Sequence, residues 1–151
     1  MTAPAITEFR GEYEFLRNPY PCLVTVDGMP FPSAEHAYQA LKWPGDVAQQ
    51  EHLLGLPWQV AKRMSRDRRL SIDQRLTNMR RVVAAKFENK VLQQWLRDTG
   101  DVDLVEGNEH RDSFWGKVRA PGGWYGANHL GLILMAERTA QRDWAARVGA
   151  P

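Results

Sequence analysis

Four polar side chains in one short segment stand at spacings that share a helical face. The segment reads Pro32-Ser33-Ala34-Glu35-His36-Ala37-Tyr38-Gln39-Ala40-Leu41-Lys42. Glu35, Tyr38, Gln39 and Lys42 occupy positions i, i+3, i+4 and i+7 of it. Glu35 and Lys42 are two turns apart, roughly 10 Å along the axis at 1.5 Å per residue. That is too far for a direct ion pair, yet both side chains can line one cleft. A carboxylate and an amine in one cleft are the raw material of acid–base or nucleophilic chemistry. A polar stripe is ordinarily a solvated face, and spacing alone does not separate the two readings.

Two further clusters carry polar groups, and the first of them mixes acids, amides and aromatics. The first is Glu106-Gly107-Asn108-Glu109-His110-Arg111-Asp112-Ser113-Phe114-Trp115-Gly116, inside a long irregular stretch of the kind that often carries function. The plainer reading is a loop pinned to the core by Phe114 and Trp115. The second is Gly126-Ala127-Asn128-His129-Leu130-Gly131, where Asn128 stands in a helix-capping position. Capping is its expected role unless the free amides of that helix start hold a phosphate or sugar. No Walker loop, GxGxxG, GxSxG elbow or HExxH is present. His36, His52, His110 and His129 lack metal-ligand spacing and read as structural or surface groups, and Cys22 reads as a packed strand residue. Trp43, Trp58 and Trp95 fall at core or rim positions of helices.

The elements that must position these groups follow from local signals. Phe9–Phe15 alternates as a short strand would. Cys22–Val26, Asp27-Gly28 and Met29–Phe31 read as a tight hairpin. Ser33 opens a helix that Pro44-Gly45 must end. A second helix runs from Asp46 to Leu54 before Gly55, and a third from Pro57 to about Ser65. Ser71 and Gln74 form a capping box. Beyond it Ile72, Leu76, Met79, Val83, Phe87, Val91, Trp95 and Leu96 make a stripe on one helix or two stacked ones, ending at Gly100. Val102–Glu106 is a candidate strand and Gly107–Gly126 a Gly-rich loop. Asn128 to about Val148 is a closing helix with Leu130, Leu134, Met135 and Trp144 as core candidates. The expected class is α+β, mostly helical, a single domain over residues 1–151 with a small N-terminal β-hairpin or sheet.

Composition sets outer bounds. The 151 residues are 43% hydrophobic and 25% charged, which excludes disordered and low-complexity classes. One cysteine excludes an internal disulfide and a thiolate zinc site. No run of about 18 apolar residues is present, and Met1–Phe15 shows no secretion signal. The expectation is a cytoplasmic protein with no membrane partner. Net charge is +2, but Lys62, Arg63, Arg66, Arg68, Arg69, Arg75, Arg80 and Arg81 cluster against Asp67 and Asp73. Such a block is either a solvated face or a phosphate-attracting one.

Ordered motifs then point to a family. Phe15-Leu16-Arg17-Asn18-Pro19-Tyr20-Pro21 matches an FLSNFYP-type opening, and Asp27-Gly28 with Phe31 to Lys42 matches a DGxxYPTxEHAFQAxK-type hairpin and helix. Met79 to Asn89, Thr99 to Asn108, Asp112 to Gly116 and Gly126 to Arg138 match the remaining motifs in order. The chain resembles the NADAR/YbiA-like N-glycosidase family over about residues 9–138. The resemblance implies cleavage of N-glycosidic bonds between ribose, or ADP-ribose, and a base or amine, with no cofactor and no metal. It associates two substrate groups: ADP-ribose on guanine, which brings in modified DNA or RNA, and ribosylamino pyrimidine intermediates of riboflavin synthesis. It implies Glu35, Lys42 and Asp112 as catalytic residues. Asn18, Tyr38, Gln39, Trp115, Gly116 and Asn128 are then expected to bind substrate.

Under that reading the ribose C1′–nitrogen bond breaks through an oxocarbenium-like state. Glu35 either stabilises that cation or activates water. Lys42 alternatively condenses with the opened sugar as a Schiff base, if burial keeps some of its amine neutral. The rivals from other classes are a module that binds ADP-ribose without turnover and a nucleic-acid interaction protein built on the Lys62–Arg81 block.

Overall fold

Asp27 and Gly28 both have positive φ, 52° and 78°, the backbone that a two-residue primed turn demands. They join β2 (Val24–Val26) to β3 (Met29–Phe31), antiparallel with Val24 opposite Phe31 and Val26 opposite Met29. The computed structural model describes residues 4–150 and divides into two compact units, one of Asn18–Asn89 and one made by the chain up to Arg17 and from Lys90 onward. The leader reading at the N-terminus falls in part on residues 1–3, outside the described ones. The α+β, mostly helical expectation holds.

The hairpin belongs to the first unit, where four helices follow it. They are α1 (Ala34–Ala40), α2 (Val47–Leu54), α3 (Trp58–Met64) and α4 (Ile72–Lys86). Each start is locally encoded. The Ser33 hydroxyl accepts from His36 N–H, the Asp46 carboxylate from Gln49 N–H, and Ser71 with Gln74 completes the capping box. Helix α1 is central, packed on α2, α3, α4 and the hairpin. Three alanines let its neighbours approach closely, and all seven of its residues are buried. It is shorter than its motif suggests. Ala40 is its last residue, and Lys42 lies in the turn beyond, its N–H donating to the Gln39 carbonyl.

In the second unit β1 (Ala5–Ile6) pairs in parallel with β4 (Asp103–Leu104), and α5 (Lys90–Asp98) packs on α6 (His129–Val148). Phe9–Phe15 is not a strand. Gly11 takes φ of 58°, and Gly11–Leu16 winds as a 3-10 turn that drives Phe15 and Leu16 into the core. Residues 107–126 are not a plain loop either. They hold β5 (Gly107–Asn108) parallel to β6 (Lys117–Ala120), which pairs antiparallel with β7 (Gly123–Tyr125).

The long stripe resolves into two helices, and the break at 87–89 resets its phase. Met79, Val82 and Val83 are buried in α4, then Leu92 and Leu96 in α5, leaving Ile72, Val91 and Trp95 exposed. In α6, Leu130 and Leu134 are core. Trp144 is 56% exposed, with the Lys90 ammonium over its ring, because Gln141 and Ala145 take the inward positions.

Candidate active site

The polar stripe of α1 is not a solvent face. Glu35 is 6% and Gln39 2% exposed, with Tyr38 buried between them. The Glu35 N–H donates to the Asn18 carbonyl (2.9 Å), and Gln39 Nε2 donates to Glu35 Oε1 (2.7 Å). Because a carboxylate only accepts, this bond fixes which end of the Gln39 amide faces it. Gln39 Oε1 is buried without a protein partner. Asn18 is itself buried, its Nδ2 against Met79 Sδ at 3.5 Å.

Lys42 closes the group from the turn, its Nζ lying 5.2 Å above the centre of the Tyr38 ring. Burial pushes the Lys42 pKa below the ordinary 10.5. Glu35 opposes that shift, while Lys62 on α3 and Arg75 on α4 add to it. Burial raises the Tyr38 pKa, opposed by a hydrogen bond and charge from Arg75 and reinforced by Glu35. One unit thus gathers Asn18, Glu35, Tyr38, Gln39 and Lys42. Arg75, bonded to Tyr38, joins them, and the charge of exposed Lys62 acts on Lys42; uneven charge places both only in a basic block. Their signal lies in α3 and α4 packing on α1, which no local spacing reveals.

His36 is structural, as its lack of ligand spacing implied. Its ring meets Ser33 Oγ at 2.7 Å and the Leu56 carbonyl at 2.7 Å. A carbonyl only accepts, so Nε2 carries a proton and both ring nitrogens are spent. Cys22 precedes β2 half-buried, its thiol pKa raised by burial against the opposing charge of Lys86.

Asp112, Trp115, Gly116 and Asn128 gather in the other unit. Asp112 Oδ1 accepts from the N–H of Trp115 (2.9 Å) and of Phe114 (3.2 Å). Asn108 pins the same loop, its amide donating to the Asp112 and Lys117 carbonyls and accepting from Asp112 N–H. A Cβ on Gly116 would run into the Glu106 carbonyl, so only glycine fits.

Asn128 is not a side-chain cap. Its left-handed backbone (φ 55°) turns its amide toward Leu104, whose carbonyl accepts from Nδ2, while Oδ1 accepts from Glu106 N–H. The first α6 amides are not free for a phosphate. His129 and Leu130 N–H donate to the Phe114 and Trp115 carbonyls. Half-buried Trp115 stacks edge-on to Phe114, which in turn packs on His129. No cluster of metal-ligating side chains occurs among the described residues, and no described helix is long and apolar enough to cross a membrane.

The family model described as the NADAR domain matches residues 7–142. A riboflavin biosynthesis protein of Vibrio vulnificus is 39% identical over 137 residues, covering 87% of this chain but 36% of its own length. The chain therefore spans about a third of that relative. The N-glycosidase YbiA of Escherichia coli is 34% identical over 121 residues, covering 76% of this chain and 73% of YbiA. The NMR structure of E. coli YbiA superposes with a TM-score of 0.76 at 29% identity, covering 97% of this chain and 90% of that one.

Proposed function

Because the chain belongs to the NADAR domain family, we propose that it is an N-glycosidase that hydrolyses the bond between ribose C1′ and a nucleobase or amine nitrogen. ADP-ribosyl-guanine is the leading substrate. The observation that carries this reading is the buried Glu35 carboxylate, held by Gln39, in one group with a lysine whose pKa burial has lowered. An oxocarbenium-like centre at C1′ needs a fixed negative charge beside it, and Glu35 supplies one that does not have to reorganise.

Two routes share this geometry. In the direct route the C1′–N bond breaks, water's oxygen bonds C1′, and Glu35 takes the water's proton and passes it to the departing nitrogen, which returns Glu35 to a carboxylate. In the covalent route the neutral Lys42 amine bonds C1′ of the opened sugar, the base leaves with its proton, and water cleaves the resulting imine to return lysine and free sugar. A lowered lysine pKa supports the second, since only the unprotonated amine is a nucleophile.

The name of the Vibrio relative favours a second substrate class, ribosylamino pyrimidine phosphates of riboflavin synthesis. Incubation of the full chain with ADP-ribosyl-guanine DNA and with such a phosphate tests both. Release of base or amine together with free sugar supports the enzyme and names its substrate. Binding without release overturns it in favour of an ADP-ribose-binding module.

A further inference from the structure

The run Lys62-Arg63-Met64-Ser65-Arg66-Asp67-Arg68-Arg69 sets five cations against one acid in eight positions. All five cations are exposed, and neither Asp67 nor any other described acid pairs with them. The dipole at the end of α3 accounts for Lys62 and Arg63, which lie in its last turn. It does not account for Arg66, Arg68 and Arg69, which lie beyond the helix. The run also falls between the motifs that carry the family resemblance, so cleavage of a ribosyl bond does not call for it. The chain there is fixed. Arg66, Arg68 and Arg69 N–H donate to the carbonyls of Arg63, Ser65 and Asp67 in successive turns. Ser65 is fully buried, and its Oγ accepts from the Trp43 indole N–H at 3.0 Å. Arg68 lies 3.9 Å over the half-buried Trp43 ring, so a flat guanidinium–indole stack sits within the cationic turn.

We propose that this turn is a docking surface for unmodified single-stranded nucleic acid, with Arg66 and Arg69 on backbone phosphates and the Trp43–Arg68 stack under a base. Like charges held together in one turn repel, and a polyanion that sheds its counterions on binding offsets that repulsion. Four of the five cations are arginine, whose fork matches phosphate oxygens two at a time, so the surface suits phosphate better than a run of lysines would. The stack decides between polyanions. A flat guanidinium on an indole gives an acidic polypeptide nothing, and paired bases in a duplex have no free face to lay on it. An unpaired base has one, and exposed Arg68 offers its outer side. The surface is independent of the glycosidase reading: it holds the polymer whether or not any base in it carries a ribosyl group.

The test is fluorescence anisotropy of the full chain with a labelled, unmodified oligodeoxythymidylate of about ten nucleotides, over a salt series. Unlabelled duplex DNA and polyglutamate at matched charge serve as competitors. Wild type should bind the single strand at low salt, with log affinity falling against log salt by about 0.7 per phosphate engaged. The double variant Arg66→Gln/Arg69→Gln removes two phosphate partners. It should weaken binding about tenfold or more and flatten the salt slope by about 1.4. Arg68→Lys keeps the charge and loses the flat stack, so it should weaken binding with the slope unchanged. Absence of salt-dependent binding in wild type, or wild-type affinity in the folded double variant, overturns the surface. Displacement of the strand by polyglutamate at equal charge overturns it in favour of an acidic protein partner. Displacement by duplex as effective as by unlabelled single strand overturns it in favour of duplex DNA.

Discussion

Gln39 Nε2 donates to Glu35 Oε1 across 2.7 Å within a helix whose seven residues are all buried. A buried carboxylate without a donor is costly, so the amide one turn on is what makes Glu35 tolerable at that position. Gln39→Met, similar in volume, removes the donor and leaves the carboxylate. We expect a stability loss of about 1–3 kcal/mol together with reduced turnover, read by denaturant titration and by base release. Unchanged stability and activity would show that the bond contributes nothing.

Lys42 gives a pH dependence whose sign follows from its lowered pKa. At pH values between the folded pKa and 10.5 the unfolded chain binds the proton more firmly than the folded one. The charged, partly buried amine therefore costs stability at lower pH, and that cost fades as pH rises through this window toward 10.5. Lys42→Met should remove this rise in stability with pH. Borohydride trapping during turnover should add a sugar-derived mass to the Lys42 peptide, with a yield that climbs with pH along an ascending limb below 10.5. Lys42→Arg should abolish the adduct, since arginine keeps the charge but is not a nucleophile. Activity of Lys42→Arg without any wild-type adduct would leave water and Glu35 as the route.

Asp112 bonds two backbone amides through one carboxylate oxygen, a task an amide oxygen performs as well. Asp112→Asn should leave the melting temperature nearly unchanged, whereas Asp112→Ala should lose about 1 kcal/mol, the scale of a lost capping bond. If the Asp112 charge acts on substrate, turnover falls several-fold in Asp112→Asn. Full activity there would confine Asp112 to holding the loop that presents Trp115.

The parts legible in sequence were those whose causes are local. Asp27-Gly28 announces its turn, and Ser33, Asp46 and Ser71 announce helix starts, because caps and primed turns are decided within four residues. The parts misread depend on distant packing. Phe9 to Phe15 alternates, yet the left-handed Gly11 lets the chain wind up and bury Phe15 and Leu16. Strands of two to four residues, such as Gly107–Asn108 and Lys117–Ala120, are too short to show a period. Periodicity placed Glu35, Tyr38 and Gln39 on one face but assigned that face to either solvent or a cleft. Only the packing of α2, α3, α4 and the hairpin around α1 decides that it is buried. Arg75 joins the group by the same packing. The Asn128 side chain faces Leu104 and Glu106 rather than its own helix, because Phe114 and Trp115 carbonyls already serve the first α6 amides.

Glu35→Gln tests the central claim most directly. Glutamine keeps the size and the hydrogen-bonding capacity that Gln39 requires, so the variant should fold with its melting transition close to wild type. Base release from ADP-ribosyl-guanine DNA and from a ribosylamino pyrimidine phosphate, measured side by side for the two proteins, should fall by roughly 10²-fold or more in the variant on whichever substrate the wild type cleaves. Near-wild-type release by folded Glu35→Gln protein would contradict the assignment of this carboxylate to the reaction.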